Sequence, residues 1–443
     1  MSIDWTALGE ETVDLLRRYL MIDTTNPPGN EIEGAKFLAD ILAREGIESE
    51  TVESAPGRAN LVARLRGDGS LPGIVLHHHI DVVYADRRYW TVDPFGGVIE
   101  DGHLYGRGAI DMKSTGILHL AALLALKRAG APLRRDLIFL ATADEEAGSE
   151  FGAQFVADTR RDWLAGAEYA ISELGAIQAG PHFTAPFGSI VISEKTGLGL
   201  CIRARSTPGH GSMPWPDTAP HKLVRALDRL LRAERPLRIL PEVQEYFARL
   251  ASVLPDGQGA GYDDLARSLE DEVFRERFLA HRLHAAMVRT TFAVTMLHGS
   301  EKSNVIPPEA WAGVDCRMLA GDDPQEIVAW VTGAIGDDDV AVELTRPPKI
   351  PNLSPPDTEL YKSLAGALRR RLPGTVVAPE ILVAFTDNWV FRRCGLHGYG
   401  WSPFVLDLSD LAGVHGNDER LSLENIHAGV RTYTEMLLEV AGA

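Results

Sequence analysis

The sequence predicts an α/β protein with a mostly parallel sheet covered on both faces, interrupted by a smaller α+β unit of ferredoxin-like β-α-β-β-α-β order. Two patterns predict this. Over the first 195 residues, apolar strands alternate with helical spacings, the order that builds a parallel sheet. From about Gly197 the order becomes that of the split ferredoxin motif. A third observation bears on function. Several predicted strands run straight into polar residues, and open parallel sheets bind their ligands beyond the carboxyl ends of the strands.

Taken in order, Glu31 to Glu45 (EIEGAKFLADILARE) has helical spacing and Ala59 to Leu65 (ANLVARL) reads as a strand. Gly73 to Leu76 reads as a second strand, Met112 to Ala129 as a helix rich in Leu and Ala, and Asp136 to Ala141 (DLIFLA) as a buried strand. The second unit begins with GLGLCIRARS and a helix from Ala219 to Arg232. It continues with strands at Thr291 to Met296 and Ala310 to Arg317, a helix near Pro324 to Ile335, and a strand at Val340 to Leu344. The charged, helix-like stretch 238–287 reads as an insertion, in which Asp263 to Arg282 is expected to be a solvated helix face. The Pro-rich run RPPKIPNLSPP then marks a return to the first unit, which ends in a helix from Leu423 to Val440. The expected division is therefore 1–195 with 347–443 as one discontinuous domain and 196–346 as the other.

Composition narrows the functional classes. With 45% apolar and 24% charged residues in 443, the chain resembles an ordinary globular protein, and it lacks the long apolar run of a membrane helix. Its net charge of −18, from 62 acidic and 44 basic residues, argues against a surface that tracks phosphates, so no nucleic-acid partner is expected. The acidic, amphipathic start lacks the basic and apolar pattern expected of a signal peptide, and Cys201, Cys316 and Cys394 have no paired spacing. Cytoplasmic residence without membrane association is the corresponding expectation.

The polar strand ends carry the chemistry. In IVLHHHIDVV, three histidines precede Asp81. Side chains alternate along a strand, so His79 and Asp81 share a side while His78 faces the other way, towards packing. His77 has the parity of His79 one step deeper, a place for support rather than ligation. A ligating imidazole commonly gives its second N–H to a carboxylate, as the His79–Asp81 spacing allows. Asp111 precedes the Leu/Ala helix, where capping is the alternative role. The strand DLIFLATA ends in Asp144-Glu145-Glu146, either a solvated loop or a pair dividing metal binding from proton transfer. Another strand ends in Glu173, and His415 lies in a glycine-flanked loop. Imidazole and carboxylate donors together suit zinc, manganese or cobalt.

In this order these residues resemble the co-catalytic zinc peptidase and deacylase family that includes aminoacylase, carboxypeptidases G and S, acetylornithine deacetylase and succinyl-diaminopimelate desuccinylase. HHIDVV with DPFGGVIEDGHLYGRGAIDMK, ATADEEAGSEFGA, STPGHGSMP, SNVIP, VDCR, AFTDNWVFRRCGLHGYGWSP and GVHGNDE carry the likeness. It implies two Zn²⁺ per subunit, with Co²⁺ or Mn²⁺ as substitutes, in a catalytic domain interrupted by a lid and dimerisation domain. By the resemblance, His79 and Glu173 ligate one zinc and Glu146 and His415 the other. Asp111 bridges them and is followed by a cis peptide. Asp81 orients His79, and Glu145 is the general base. His210 reaches across a homodimer to the oxyanion, and Asn304 and Arg317 hold the substrate carboxylate. The implied reaction is hydrolysis of an amide next to a free carboxylate, in an N-acyl amino acid or short peptide. A ureido-type amidase using the same metals and a non-catalytic binding protein are the competing readings. His77, Tyr84 and His210-Gly211-Ser212 depart from the usual family pattern without removing a ligand.

Overall fold

The computed structural model describes residues 3–346, 349 and 352–443. Its larger sheet has ten strands. At its centre Leu137–Thr142, Gly73–His79, Ala167–Ser172 and His397–Gly400 lie side by side and parallel. Every residue of Gly73–His79 and of Leu137–Thr142 is buried, as expected for strands covered on both faces. The flanks are mixed. Phe187–Glu194 runs parallel to Val376–Leu382 but antiparallel to Ile177–Gln178. On the other side Arg58–Leu65 is antiparallel to Leu137–Thr142 and to the edge strand Ser49–Ala55. Pro56-Gly57 closes that last hairpin, with Gly57 in the positive-φ conformation such turns require.

The strand's period of two sorts its residues between two apolar layers. Ile74 and Leu76 pack with the helices Trp5–Leu20, Lys113–Arg128 and Leu423–Ala441. Val75 points the other way, to Val156, Trp163 and Phe391. Lys113–Arg128 is buried almost all round, from Lys113 to Leu126, which explains a helix with so few polar residues. Trp5–Leu20 starts at Asp4, whose carboxylate accepts from the Thr6 and Ala7 amides at 3.1 Å each.

The smaller sheet has the strand order Thr291–His298, Glu309–Met318, Thr196–Arg205, Val340–Leu344, antiparallel throughout. The first strand in sequence is internal, as the β-α-β-β-α-β order implies. Glu309–Met318 alternates strictly, burying Ala310, Ala312, Val314, Cys316 and Met318 against helices Ala219–Arg232 and Pro324–Ile335. Thr218 and Asp323 cap those helices through their side-chain oxygens. Thr291–His298 is an edge strand that leaves Met296 and Leu297 exposed.

The segment 238–287 folds as four helices, Pro241–Ala251, Leu265–Ser268, Glu272–Ala280 and Arg282–Met287. Its charges face solvent, but its apolar residues do not stay with the smaller sheet. Val243, Tyr246, Phe247, Phe278 and Met287 pack against Phe187, Ala378 and Ile381 of the larger one. Helical periodicity marks which face is apolar but not which surface receives it. Part of the Pro-rich return, including the expected boundary at 347, lies outside the described residues. No described helix is long and apolar enough to cross a membrane.

Candidate active site

The polar strand ends meet in one place. His79 Nε2 lies 3.1 Å from Asp111 Oδ1 and 3.6 Å from Glu173 Oε2. The other Asp111 oxygen is 3.1 Å from His415 Nε2, which is itself 3.3 Å from Glu146 Oε2. Asp111 thus stands between two imidazoles, each backed by a glutamate. Donor atoms of His79, Asp111 and Glu146 all lie within 4.8 Å of one another, and so do those of His79, Glu145 and Glu173. The peptide after Asp111 is cis.

Backbone geometry aims these groups. Asp144, Leu174 and His415 have φ values of 69°, 68° and 57°, left-handed conformations that non-glycine residues adopt reluctantly. They immediately precede Glu145, follow Glu173 and carry the second imidazole. Such strain concentrates where surrounding contacts over-determine the backbone. Those contacts are present: Arg58 donates to Glu31 at 2.7 and 2.8 Å and to Asp144 at 2.7 Å. Below Asp111, the buried Glu419 carboxylate accepts from the amides of Gly108, Ile110 and Asp111 and from Arg107.

Asp81 departs in detail from the expected pairing. The His79 Nδ1 bond is made with the Asp81 backbone carbonyl at 2.9 Å, while the Asp81 carboxylate lies 3.6 Å away. That carboxylate accepts from the Glu145 and Glu146 amides at 3.1 Å each and from Asn26 Nδ2 at 2.8 Å. His78 lies on the far face, 3.2 Å from the Tyr19 hydroxyl, over Gly116, where a Cβ would come within 2.3 Å of the ring. His77 is buried beneath the site, bonded to Ser172 and Thr142 at 2.8 Å and 3.3 Å from Asp387.

The electrostatics describe a pocket short of positive charge. Burial, reinforced by Glu173, pushes the Glu145 carboxyl well above its ordinary range. Burial raises Glu173 to about 8 and Asp81 to about 7. Burial alone would lower His79, but hydrogen bonds to Asp111 and Glu173 hold it well above the usual value. Bonds to Asp111 and Glu146 lift His415 to about 10. Glu146 Oε1 and Glu173 Oε1 are buried without a hydrogen-bond partner among the described residues. Buried carboxylates in excess, two of them with one oxygen beside an imidazole and the other orphaned, fit divalent cations with a taste for nitrogen and oxygen donors.

Arg317 lines a cavity of about 530 Å³ together with Glu145, Glu146 and His415. His210 and Asn304 are elsewhere. His210 belongs to the short ladder of Gly209–His210 with Val305–Ile306, and Asn304 lies just before it, its carbonyl accepting from Gly211 N at 2.9 Å; both are exposed. No role for Asn26, Asp387 or Glu419 follows from the sequence alone. Asn26 had a signal in the turn-forming Asn-Pro-Pro-Gly that follows the first helix, and Asp387 and Glu419 lie inside the matched stretches FTDNW and HGNDE.

The sequence model of peptidase family M20/M25/M40 matches residues 75–439. The N-fatty-acyl-amino acid synthase/hydrolase PM20D1 of Mus musculus is 30% identical over 385 residues, covering 84% of this chain and 74% of that protein. Aminoacylase-1 of Homo sapiens is 26% identical over 436 residues, 97% of this chain and 95% of the relative. An M20 family metallo-carboxypeptidase from Sulfolobus solfataricus shares the fold with a TM-score of 0.73 at 17% identity, across 97% of this chain and 99% of the other.

Proposed function

Because the chain belongs to peptidase family M20/M25/M40, and is a hydrolase acting on amide or peptide bonds, we propose that it is a two-metal hydrolase cleaving amides next to a free carboxylate, with N-acyl amino acids or short peptides as substrates. The observation that carries this reading is the convergence of His79, Asp111, Glu146, Glu173 and His415 around Glu145 at the wall of a cavity that also holds Arg317.

His79 and Glu173 would hold one metal, Glu146 and His415 the other, and Asp111 both; zinc, cobalt and manganese all suit these donors. Bound there, the ions would supply the Lewis acidity that makes water a nucleophile near neutral pH and polarises the scissile carbonyl. Glu145 takes the proton of the attacking water and returns it to the departing amine. Its carboxylate lies within 4.8 Å of donor atoms of both His79 and Glu173, close to where such a water would sit. The Asp81 carboxylate holds the Glu145 and Glu146 amides, so the base and a ligand keep a fixed spacing. Arg317 receives the substrate carboxylate through its planar fork. The resemblance assigns Asn304 to the same carboxylate.

His210 acts in trans at the oxyanion in a homodimer. Two features support that assignment: His210 stands exposed and outside the cavity lining of its own chain, and the edge strand Thr291–His298 presents unpaired backbone beside Met296 and Leu297. The test is a hydrolysis screen of N-acetyl and longer N-acyl amino acids and dipeptides, on protein stripped of metal and reloaded with zinc, cobalt or manganese. Turnover of carboxylate-bearing amides, absent from stripped protein, is expected. Equal turnover of the corresponding amino-acid amides, which lack the carboxylate, would overturn the reading.

A further inference from the structure

The cavity beside the acidic cluster has a cationic side that extends past Arg317. Arg346 and Lys349 also line it. A neighbouring hollow of about 650 Å³ shares Gly148, Arg346 and Lys349 with it, so the space continues beyond Lys349 towards Trp389.

Gly197 brings the cations together. It is paired directly with Arg317 across the antiparallel ladder, and opposed residues project from the same face. A Cβ at Gly197 would come within 3.6 Å of Arg346 Nη2. The Arg346 guanidinium therefore lies on the Arg317 face of the sheet, beside the space left free by the missing side chain. Lys349 Nζ is 3.3 Å from the Gly148 carbonyl, in the turn after Glu145 and Glu146, and stands 4.2 and 4.8 Å from the ring centres of Phe385 and Trp389. Asp315 already engages Arg317 at 3.0 Å, whereas neither Arg346 nor Lys349 pairs with a carboxylate among the described residues. Burial lowers the Lys349 pKa and the charge of Arg346 acts in the same direction, outweighing the opposing charges of Asp387, Glu145 and Glu150, none of which bonds to it. Arg346 is exposed and Lys349 half-buried, so an aliphatic substituent here would displace water from both cations without offering an anion, which is unfavourable. A carboxylate would satisfy both.

Resting on the hydrolase reading above, we propose that Arg346 and Lys349 form a second anion subsite that selects a leaving amino acid with an acidic side chain. The α-carboxylate sits at Arg317 and the side-chain carboxylate between Arg346 and Lys349, so N-acyl-aspartate and N-acyl-glutamate are the preferred class.

The experiment compares N-acetyl-L-glutamate with its neutral isostere N-acetyl-L-glutamine on the metal-loaded wild type, R346Q and R346K. In parallel, calorimetry measures binding of the free products L-glutamate and L-glutamine. The wild type is expected to favour glutamate in both readouts. R346Q should lose about 10- to 100-fold in kcat/KM on the acidic substrate only, the range for losing a hydrogen bond to a charged group. R346K should recover part of the loss. Equal kcat/KM for the two substrates in the wild type, or an unchanged ratio in R346Q, overturns the subsite. If no N-acyl amino acid is hydrolysed, the proposed activity falls. The calorimetric preference for L-glutamate, present in the wild type and lost in R346Q, then still decides for or against the subsite.

Discussion

Replacing Glu419 by Gln probes how the Asp111 loop is held. The Glu419 side chain is fully buried and accepts four bonds. Oε1 receives the Ile110 and Asp111 amides at 2.7 and 2.9 Å, and Oε2 receives Gly108 N at 2.9 Å and Arg107 Nη1 at 2.6 Å. An amide of the same size keeps only one acceptor oxygen. Whichever way it turns, its NH₂ faces two donors and two of the four bonds are lost. Arg107, only 2% exposed, also loses its carboxylate. Bonds to charged groups contribute roughly 1.5–3 kcal/mol each, and breaking a buried ion pair costs about 3–5 kcal/mol. A destabilisation of about 3–5 kcal/mol is therefore expected in urea unfolding of metal-stripped protein. Because Asp111 N is one of the four donors, metal affinity should fall by roughly 10- to 100-fold as well. A stability loss below about 1 kcal/mol would refute the claim that Glu419 supports this loop.

Glu145→Gln should lower kcat by about 10²- to 10⁴-fold while leaving metal content unchanged, and activity within about tenfold of wild type would remove the general-base role. Metal analysis should find His79→Ala depleted and both His77→Ala and His78→Ala loaded. His77→Ala should nonetheless unfold more easily, since it strands the Ser172 hydroxyl and leaves Asp387 without its imidazole neighbour, although Thr142 keeps its bond to Asp387. Mixing inactive His210→Ala with inactive Glu145→Gln protomers should restore partial activity in heterodimers. No recovery with subunit exchange established would count against action in trans.

What was legible in the sequence was whatever a period or a strand end encodes. The parity of Ile74, Leu76 and His78 against Val75, His77 and His79 separates packing from site, and the two cores follow it. The alternation in Glu309–Met318 likewise marks its buried face. Groups that act through contacts made only after folding were not legible. Asn26 reaches Asp81 across 55 residues, and Glu419 reaches Asp111 across 308. The helices of 238–287 found their partner in a strand more than a hundred residues away in sequence from Val243. That choice depends on which apolar surface remains uncovered, and no local pattern records it.

The bonds of Asp81 have a consequence for how the enzyme can change. One side chain and its own carbonyl serve an imidazole on one side and the amides of Glu145 and Glu146 on the other. Substitutions there cannot be independent of substitutions at Glu145. In a double-mutant cycle of Asp81→Asn and Glu145→Gln the second change should cost much less than it does alone, because the first has already misplaced what the second removes. Metal grip and proton transfer then vary together, whereas a change at the cavity wall leaves this shared support untouched.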